Sequence, residues 1–314
     1  MSETRYHQPV MLRESIDALS VSPTGTYVDV TFGGGGHSGR LLQQLTTGHL
    51  FAMDQDEDAL RNAPSDPRLT LMRGNFRYLR NFLRYEGAGP VDGLIADLGV
   101  SSHHFDTAER GFSFRFDAPL DMRMNQRSHL TAAEVVNNYG EQQLADVLHT
   151  YGQLRQARAI AKAIVQQRAQ DPIATTGQLA ELVAPLLQTP SSLQRHTATG
   201  AWPKDMAQVF QALRIEVNHE MEALSAMLEQ AVQVIKPGGR LVVITYHSLE
   251  DRMVKNLMRT GNTAGLLKKD FYGHVAAPLR PTNNKVLTPS AQEQAANPRS
   301  RSAKLRVAER VSNA

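Results

Sequence analysis

The chain has 314 residues, of which 41% are hydrophobic and 21% charged, as is typical of a globular protein. It contains no cysteine, which excludes disulfides, thiolate metal sites and a cysteine nucleophile and agrees with a reducing compartment. Because the sequence shows no signal-peptide pattern and no apolar run of roughly 20 residues, we expect a cytoplasmic protein without a membrane segment.

The net charge of +3 is unevenly distributed along the chain. Residues 278–314 carry seven Lys or Arg against two Glu, a net +5, so the remaining residues sum to −2. A basic end on a nearly neutral body suggests a polyanionic partner, although a solvated tail explains the charge equally well.

Strand and helix patterns alternate over the first hundred residues. The predicted strands are 26–31, 49–53, 68–72 and 91–96, and the predicted helices are 10–19, 38–45, 57–63 and 76–84. This alternation favours an α/β fold with a parallel sheet covered on both faces.

The pattern then becomes wholly helical before strands return. Helices are predicted at 132–139, 141–151, 154–170, 176–187 and 217–235, followed by a turn at 236–239, a strand at 240–246, an irregular stretch at 280–301 and an edge strand at 304–309. We therefore predict one α/β domain in two parts, 1–103 and 208–314, interrupted by an inserted helical domain, 104–207.

A glycine run follows the first predicted strand and precedes a helix. Gly33 to Gly36 allow a tight turn and close approach of a ligand to the backbone. Asp54 lies 20 residues after Gly34, where a carboxylate can bind ribose hydroxyls. This pattern does not separate NAD from S-adenosylmethionine, and a structural turn without a ligand is a further alternative.

Three later features favour the methyl donor. Asn75 and Phe76 follow the third strand, where an adenine would lie, although Phe76 suits the first core position of its helix equally well. Asp97 ends the fourth strand, beside the expected reactive carbon. The long helix, Pro-Gly-Gly turn and fifth strand are typical of the later half of a methyltransferase sheet.

Several motifs together resemble the bacterial 16S ribosomal RNA cytosine-N4 methyltransferases of the RsmH (MraW) family. The matching segments are residues 7–12, 31–38, 97–102, 110–114, 119–124, 210–218, 247–252 and 297–302, which span nearly the whole chain in order. The resemblance implies a Rossmann-like, class I S-adenosylmethionine-dependent methyltransferase sheet with an inserted helical domain. It also implies methylation of the exocyclic N4 of a decoding-centre cytidine.

The resemblance further implies which residues contact the donor: Gly35, Gly36, His37, Asp54, Phe76, Asp97 and His104. His104 departs from the family pattern, because Ser-His-His stands at 102–104 where Ser-Pro-Gln is more usual. A second departure, residues 199–204, receives no role. The implied partner is 16S ribosomal RNA or the assembling small ribosomal subunit, with no membrane partner and with a homodimer as an open alternative.

The chemistry suggests two catalytic candidates. Cytosine N4 is a poor nucleophile, so an acceptor is needed for its hydrogen. Asp97 is the first candidate, although it could instead only hold the donor. His247 ends the fifth strand at the same edge; the alternative is local structure, since Ser248 and Asp251 resemble a helix-capping box. No metal site is expected, because no His, Asp or Glu cluster has suitable spacing.

A segment of alternating aromatic and basic residues provides the substrate-binding candidates. These are Arg110, Phe112, Phe114 and Arg123, which we expect to form one wall of a cytidine pocket. Aromatic residues with a period of two are also common in protein cores. Arg155, Arg158 and Lys162 share a helical face that suits phosphates or solvent.

The sequence thus predicts a ribosomal RNA methyltransferase. Two alternatives remain at this point: an NAD-linked oxidoreductase, and an RNA-binding scaffold that has kept a methyltransferase fold. Ligand choice separates the first alternative from the prediction, and methyl transfer in vitro separates the second.

Overall fold

A computed structural model describes residues 9–61, 63–100, 107–187, 202–203, 205–267, 277–283 and 285–312. The chain divides into two compact units. Met1–Gly99 and Met221–Ala314 form one, here called the sheet unit, and Val100–Glu220 form the other, here called the helical unit.

The sheet unit is built on a seven-stranded sheet within the described residues. Its strands are β1 Thr26–Asp29, β2 His49–Asp54, β3 Leu69–Arg73, β4 Val91–Asp97, β5 Ile235–Thr245, β6 Leu279–Pro281 and β7 Lys304–Arg310. The order is β3-β2-β1-β4-β5-β7-β6; β1 to β5 are parallel and β7 runs antiparallel to both neighbours. This topology confirms the predicted α/β class.

Helices cover both faces of this sheet. They are α1 Leu12–Leu19, α2 Gly36–Leu42, α3 Glu57–Leu60, α4 Leu79–Tyr85, α10 Glu220–Val234, α11 Ser248–Thr260 and α12 Ala291–Ala296. Along β5, Leu241 and Val243 pack into one apolar cluster while Val242 and Ile244 pack into another. Successive strand residues point to opposite faces, so residues 241–244 of β5 are buried on both sides, as their apolar run predicts, whereas the turn predicted at 236–239 lies within the strand.

The prediction for the end of the chain was partly wrong. Strand β7 is not an edge strand, because β6 pairs with it through Leu279 and Pro281. The stretch predicted to be irregular therefore contributes β6 and α12. Strand β6 has only three residues, too few to show alternation, and its proline suits the outer edge of a sheet.

The helical unit contains α5 Ala132–Asn138, α6 Glu141–Thr150, α7 Ala157–Arg168, α8 Thr176–Leu187 and α9 Met206–Asn218 around one apolar core. The unit ends at Glu220 rather than at the predicted 207. Helix α9 accounts for the difference, because its buried Val209, Phe210 and Leu213 belong to the helical core. His219, with a φ of 49°, separates α9 from α10, so the helix predicted at 217–235 begins at Glu220, and α9 itself was not predicted.

No helix in the described ranges is both long and apolar enough to cross a membrane.

Candidate active site

The carboxyl ends of the parallel strands gather polar groups at one edge of the sheet. Asp29 ends β1, Asp54 ends β2 and Asp97 ends β4. Tyr246 follows β5, whose Ile244 pairs with Asp97 in the adjacent strand. In parallel α/β sheets this edge, outside the carboxyl ends, is where ligands bind.

The glycine loop is fixed on both sides by its own backbone. The N–H of Val30 donates to the carbonyl of Ile95 (3.1 Å) on one side, and the N–H of Phe32 donates to that of Met53 (2.8 Å) on the other. Gly35 has a φ of 74°, and a Cβ on Gly36 would lie only 2.0 Å from Pro9 Cγ. Side chains are thus excluded from both positions, leaving bare backbone at the start of α2.

The carboxylate of Asp29 anchors the glycine loop through hydrogen bonds. The residue is 1% exposed, and its Oδ1 accepts from the N–H of Thr31 (3.0 Å) while Oδ2 accepts from the hydroxyl of Ser38 (2.7 Å). The Thr31 hydroxyl in turn accepts from the N–H of Asp97 (2.7 Å). Asp29 therefore connects the loop, α2 and β4, and serves the site by fixing their positions.

Asp54 lies where the sequence places a ribose-binding carboxylate. Its Oδ2 accepts from the N–H of Gly33 (2.8 Å) and its Oδ1 from the N–H of Asp56 (2.9 Å). Each oxygen keeps a second lone pair for a ligand hydroxyl. Burial raises the pKa of Asp54 to about 6, against the opposing effect of the Asp56 and Gly33 N–H groups.

The turn after β3 borders the same site. Asn75 donates from Nδ2 to Gln55 Oε1 (2.8 Å) and accepts at Oδ1 from the N–H of Arg77 (3.0 Å). Phe76 is half-buried and packs against the core of the sheet unit. It is thus a core residue with part of its surface exposed, so both interpretations of this ring remain compatible with the structure.

Asp97 lies at the centre of a partly buried polar cluster. Its Oδ1 accepts from the hydroxyl of Tyr246 (2.7 Å), and its Oδ2 lies 3.7 Å from Nδ1 of His37. His37 is 5% exposed, and its Nε2 lies 3.1 Å from the carbonyl oxygen of Val10. A carbonyl only accepts, so His37 Nε2 carries the hydrogen of this contact, which leaves Nδ1 as the ring nitrogen that faces Asp97.

The electrostatics of this cluster are governed by burial. Burial raises the pKa of Asp97 to about 6, although His37 and the Tyr246 hydroxyl favour the ionised form. Burial, followed by the charge of Asp97, raises the pKa of Tyr246 well above its ordinary value of 10. Tyr246 is therefore a permanent donor to Asp97, and Asp97 changes protonation state near pH 6.

His247 is placed as the N-cap of α11. Its Nδ1 accepts from the N–H of Glu250 (3.5 Å), while Glu250 Oε2 accepts from the N–H groups of Tyr246 (2.8 Å) and His247 (3.3 Å). The capping box thus uses His247 and Glu250 rather than the predicted Ser248 and Asp251. These contacts explain His247 by local structure, and its role in catalysis stays a prediction.

The chain is similar to known proteins over almost its whole length. A family model described as the MraW methylase family matches residues 4–311. The chain belongs to the MraW methylase family.

Curated relatives extend over almost the same length. A protein named ribosomal RNA small subunit methyltransferase H from Bacteroides fragilis (strain YCH46) is 58% identical over 309 residues, 98% of each chain. Its namesake in Phocaeicola vulgatus is 56% identical over 313 residues, covering 99% of this chain and 100% of the relative. Membership of a methylase family decides against the NAD-linked oxidoreductase.

Solved structures are more distant. NSun6 from Pyrococcus horikoshii with SFG is 12% identical, with a TM-score of 0.43, and the match covers 100% of this chain and 56% of that one. SMU.1697c, a putative methyltransferase from Streptococcus mutans in complex with SAH, is 11% identical, with a TM-score of 0.39 and coverage of 96% and 97%.

The substrate-binding candidates of this methylase lie in its helical unit. Phe112 is 4% exposed within the helical core, and Phe114 packs at its border with its ring centroid 5.2 Å from that of Phe210. Arg110 is buried and donates to the carbonyls of Arg123 (2.8 Å) and Met124 (3.1 Å). This placement supports the core interpretation for the two rings; contact with substrate stays a prediction.

The remaining candidates have different positions. The Arg123 guanidinium pairs with Asp121 (2.7 Å) and also donates to the carbonyl of Ser128 (2.6 Å), so it holds a local turn together. Arg155, Arg158 and Lys162 are exposed on or just before α7. His104 lies outside the described residues.

Sequence reasoning missed Tyr246 and the buried anchor Asp29 of this methylase. Tyr246 could have been found from topology, since the residue after β5 must lie beside the end of β4 once the two strands are adjacent. Asp29 could have been found as a charged residue in an otherwise apolar strand, because a buried carboxylate needs partners.

Proposed function

We propose that this methylase transfers a methyl group from S-adenosylmethionine to the exocyclic N4 of a decoding-centre cytidine in 16S ribosomal RNA. The observation that carries the proposal is its identity of 50–58%, over nearly the full length, to proteins named ribosomal RNA small subunit methyltransferase H. The choice of N4 rests on the family motifs in the sequence and on a site suited to an amine. The proposal places the activity in the cytoplasm, where ribosomal RNA is assembled.

The residues at the strand edge suit the donor. Positions 35 and 36 require glycine, because any Cβ there would overlap Phe32 or Pro9, and the resulting bare backbone suits close approach of a donor. Asp54 offers free lone pairs to ribose hydroxyls, and Phe76 offers part of its ring to an adenine. When bound, S-adenosylmethionine supplies a methyl group activated by its sulfonium.

Asp97 is the proposed acceptor for the N4 hydrogen. The amine gains a methyl group and must lose one proton, because its lone pair is delocalised into the ring and the methylated nitrogen would otherwise keep a positive charge. Tyr246 occupies Oδ1 of Asp97, so Oδ2 is the oxygen left to receive this proton. His37 Nδ1 lies 3.7 Å from that oxygen, which is too distant for a hydrogen bond.

Tyr246 and His37 position Asp97 in this scheme. The hydroxyl of Tyr246 fixes the carboxylate plane, and the Val10 carbonyl fixes the His37 ring. The pKa of about 6 means that most Asp97 carboxylates are ionised above pH 7 and able to accept a proton.

Methyl transfer in vitro tests the proposal. Purified protein is incubated with donor carrying a labelled methyl group and either naked 16S ribosomal RNA or isolated small subunits, and the product nucleosides are separated by mass spectrometry. We expect N4-methylated cytidine from the wild type and none from Asp97→Asn. Donor binding without methylation of either RNA would favour the scaffold alternative.

A further inference from the structure

A basic groove lies in the sheet unit away from the strand edge, between α11, β6 and β7. Its volume is about 340 Å³, and four cationic side chains line it: Lys255, Arg259, Lys285 and Arg306. No Asp, Glu or aromatic residue is among the described residues that line it.

Most of the positive charge in this groove is not neutralised. Arg306 is paired, because its Nε lies 2.7 Å from Oδ1 of Asp251. Lys255, Arg259 and Lys285 are exposed and make no ion pair in the described ranges. These three neighbouring cations repel one another, and a bound polyanion relieves that repulsion.

Helix α11 connects the groove with the active-site edge. Arg252, Lys255 and Arg259 are spaced by three and four residues, so they form one row on the exposed face of the helix. The helix begins at Ser248, directly after β5 ends beside Asp97, and its 13 residues extend roughly 20 Å from there. The row therefore leads from the methyl-transfer site into the groove.

We propose that the groove binds the phosphodiester backbone of the RNA strand whose target base occupies the strand-edge site. This inference rests on the proposed function. Long, exposed Lys and Arg side chains in a row suit the backbone of a single strand, which presents one charge per nucleotide. A small nucleotide fits less well, because the described residues that line the groove include no aromatic ring to stack on a base and no glycine loop to hold a phosphate.

The test compares two triple variants that lose the same charge. Lys255→Gln/Arg259→Gln/Lys285→Gln removes the free cations of the groove. Arg13→Gln/Arg40→Gln/Arg84→Gln removes three exposed arginines from other helices of the sheet unit and is the control. Thermal melts and donor calorimetry establish that both variants fold and bind the donor as the wild type does.

The binding of a fluorescently labelled single-stranded RNA 20-mer is then measured by anisotropy from 50 to 200 mM salt. Each lost phosphate contact lowers the salt slope by about 0.7 for a single strand, so the groove variant should lose up to about 2. Between 50 and 200 mM salt, the RNA affinity of the wild type should therefore fall roughly tenfold more than that of the groove variant. The control variant should keep the wild-type slope.

Three results would overturn the proposal that this groove binds the RNA backbone. One is an unchanged slope in the groove variant, and another is an equal loss in the control. The third is saturable calorimetric binding of inorganic phosphate that the groove variant loses while its RNA slope stays unchanged, which would indicate a small-anion site. Methylation of ribosomal RNA by the wild type is assayed in parallel. If the wild type methylates the RNA but the groove variant keeps its salt slope, the groove proposal is wrong and the proposed function stands. If the wild type does not methylate the RNA, the proposed function is wrong.

Discussion

Replacing Asp97 with asparagine should stabilise the protein at neutral pH while removing its activity. Asparagine has the same shape as aspartate, so its oxygen still accepts from the Tyr246 hydroxyl. Its Nδ2 takes the place of Oδ2, which lies 3.7 Å from His37 Nδ1 in the wild type. The substitution therefore exchanges a part-buried charge for a neutral group that keeps the hydrogen bond from Tyr246.

The magnitude follows from the pKa of Asp97. Its rise from 3.8 to about 6 is roughly two units, or about 3 kcal/mol at 1.36 kcal/mol per unit. A raised acid pKa stabilises the folded state fully below the unfolded value, and this contribution is lost as pH rises through the folded value. At pH 8 the wild type carries the whole cost of an ionised Asp97, whereas at pH 4 it carries little of it.

Urea unfolding at pH 5 and pH 8 measures this effect. We expect Asp97→Asn to be more stable than the wild type by up to about 3 kcal/mol at pH 8, with a smaller difference at pH 5. Asp17→Asn is the control, because Asp17 is 64% exposed and its neutralisation should change stability by about 0.5 kcal/mol or less. If Asp97→Asn is less stable than the wild type at pH 8, or if its gain in unfolding free energy does not depend on pH, then ionisation of Asp97 does not destabilise the folded protein.

Three further substitutions separate the roles of neighbouring residues. Asp54→Ala should weaken donor binding by about 1.5–3 kcal/mol, as for a lost hydrogen bond to a charged group. Calorimetry in which NAD binds more tightly than S-adenosylmethionine would contradict the assignment of the donor. Tyr246→Phe should lower kcat without changing donor affinity and should move the acid limb of the kcat profile above pH 6, because the hydroxyl favours the ionised form of Asp97; an unmoved limb would show that Tyr246 is only structural. Phe112→Ala should cost about 3–5 kcal/mol of unfolding free energy by emptying a core position, and normal stability with impaired RNA methylation would instead place Phe112 in the substrate pocket.

The regular parts of the fold could be predicted from sequence because their signals are local. Strand β5 contains the apolar run 241–244, and helix α8 was predicted with the bounds that the structure shows. The three-residue β6 could not be predicted, since its strand character comes from pairing with β7. The boundary after α9 was missed for a related reason: the apolar face of α9 does not reveal which core it joins.

The site shows the same division between local and distant information. Gly35, Gly36, Asp54 and Asp97 could be found because each follows a strand in a recognisable motif. Tyr246 contacts Asp97 from 149 positions further along the chain, and only the strand order brings the two together. Arg110 and Phe112 suit an RNA contact by residue type, but the structure buries both. Residue type alone does not distinguish a stacking aromatic from a core aromatic.

The most direct test of the proposed function is mass-spectrometric mapping of 16S ribosomal RNA from cells lacking this protein. We expect that one decoding-centre cytidine loses its N4 methyl group, that the wild-type chain restores it, and that Asp97→Asn, although folded and at least as stable, does not. An unchanged methylation pattern in the deletion strain, or full restoration by Asp97→Asn, would contradict it.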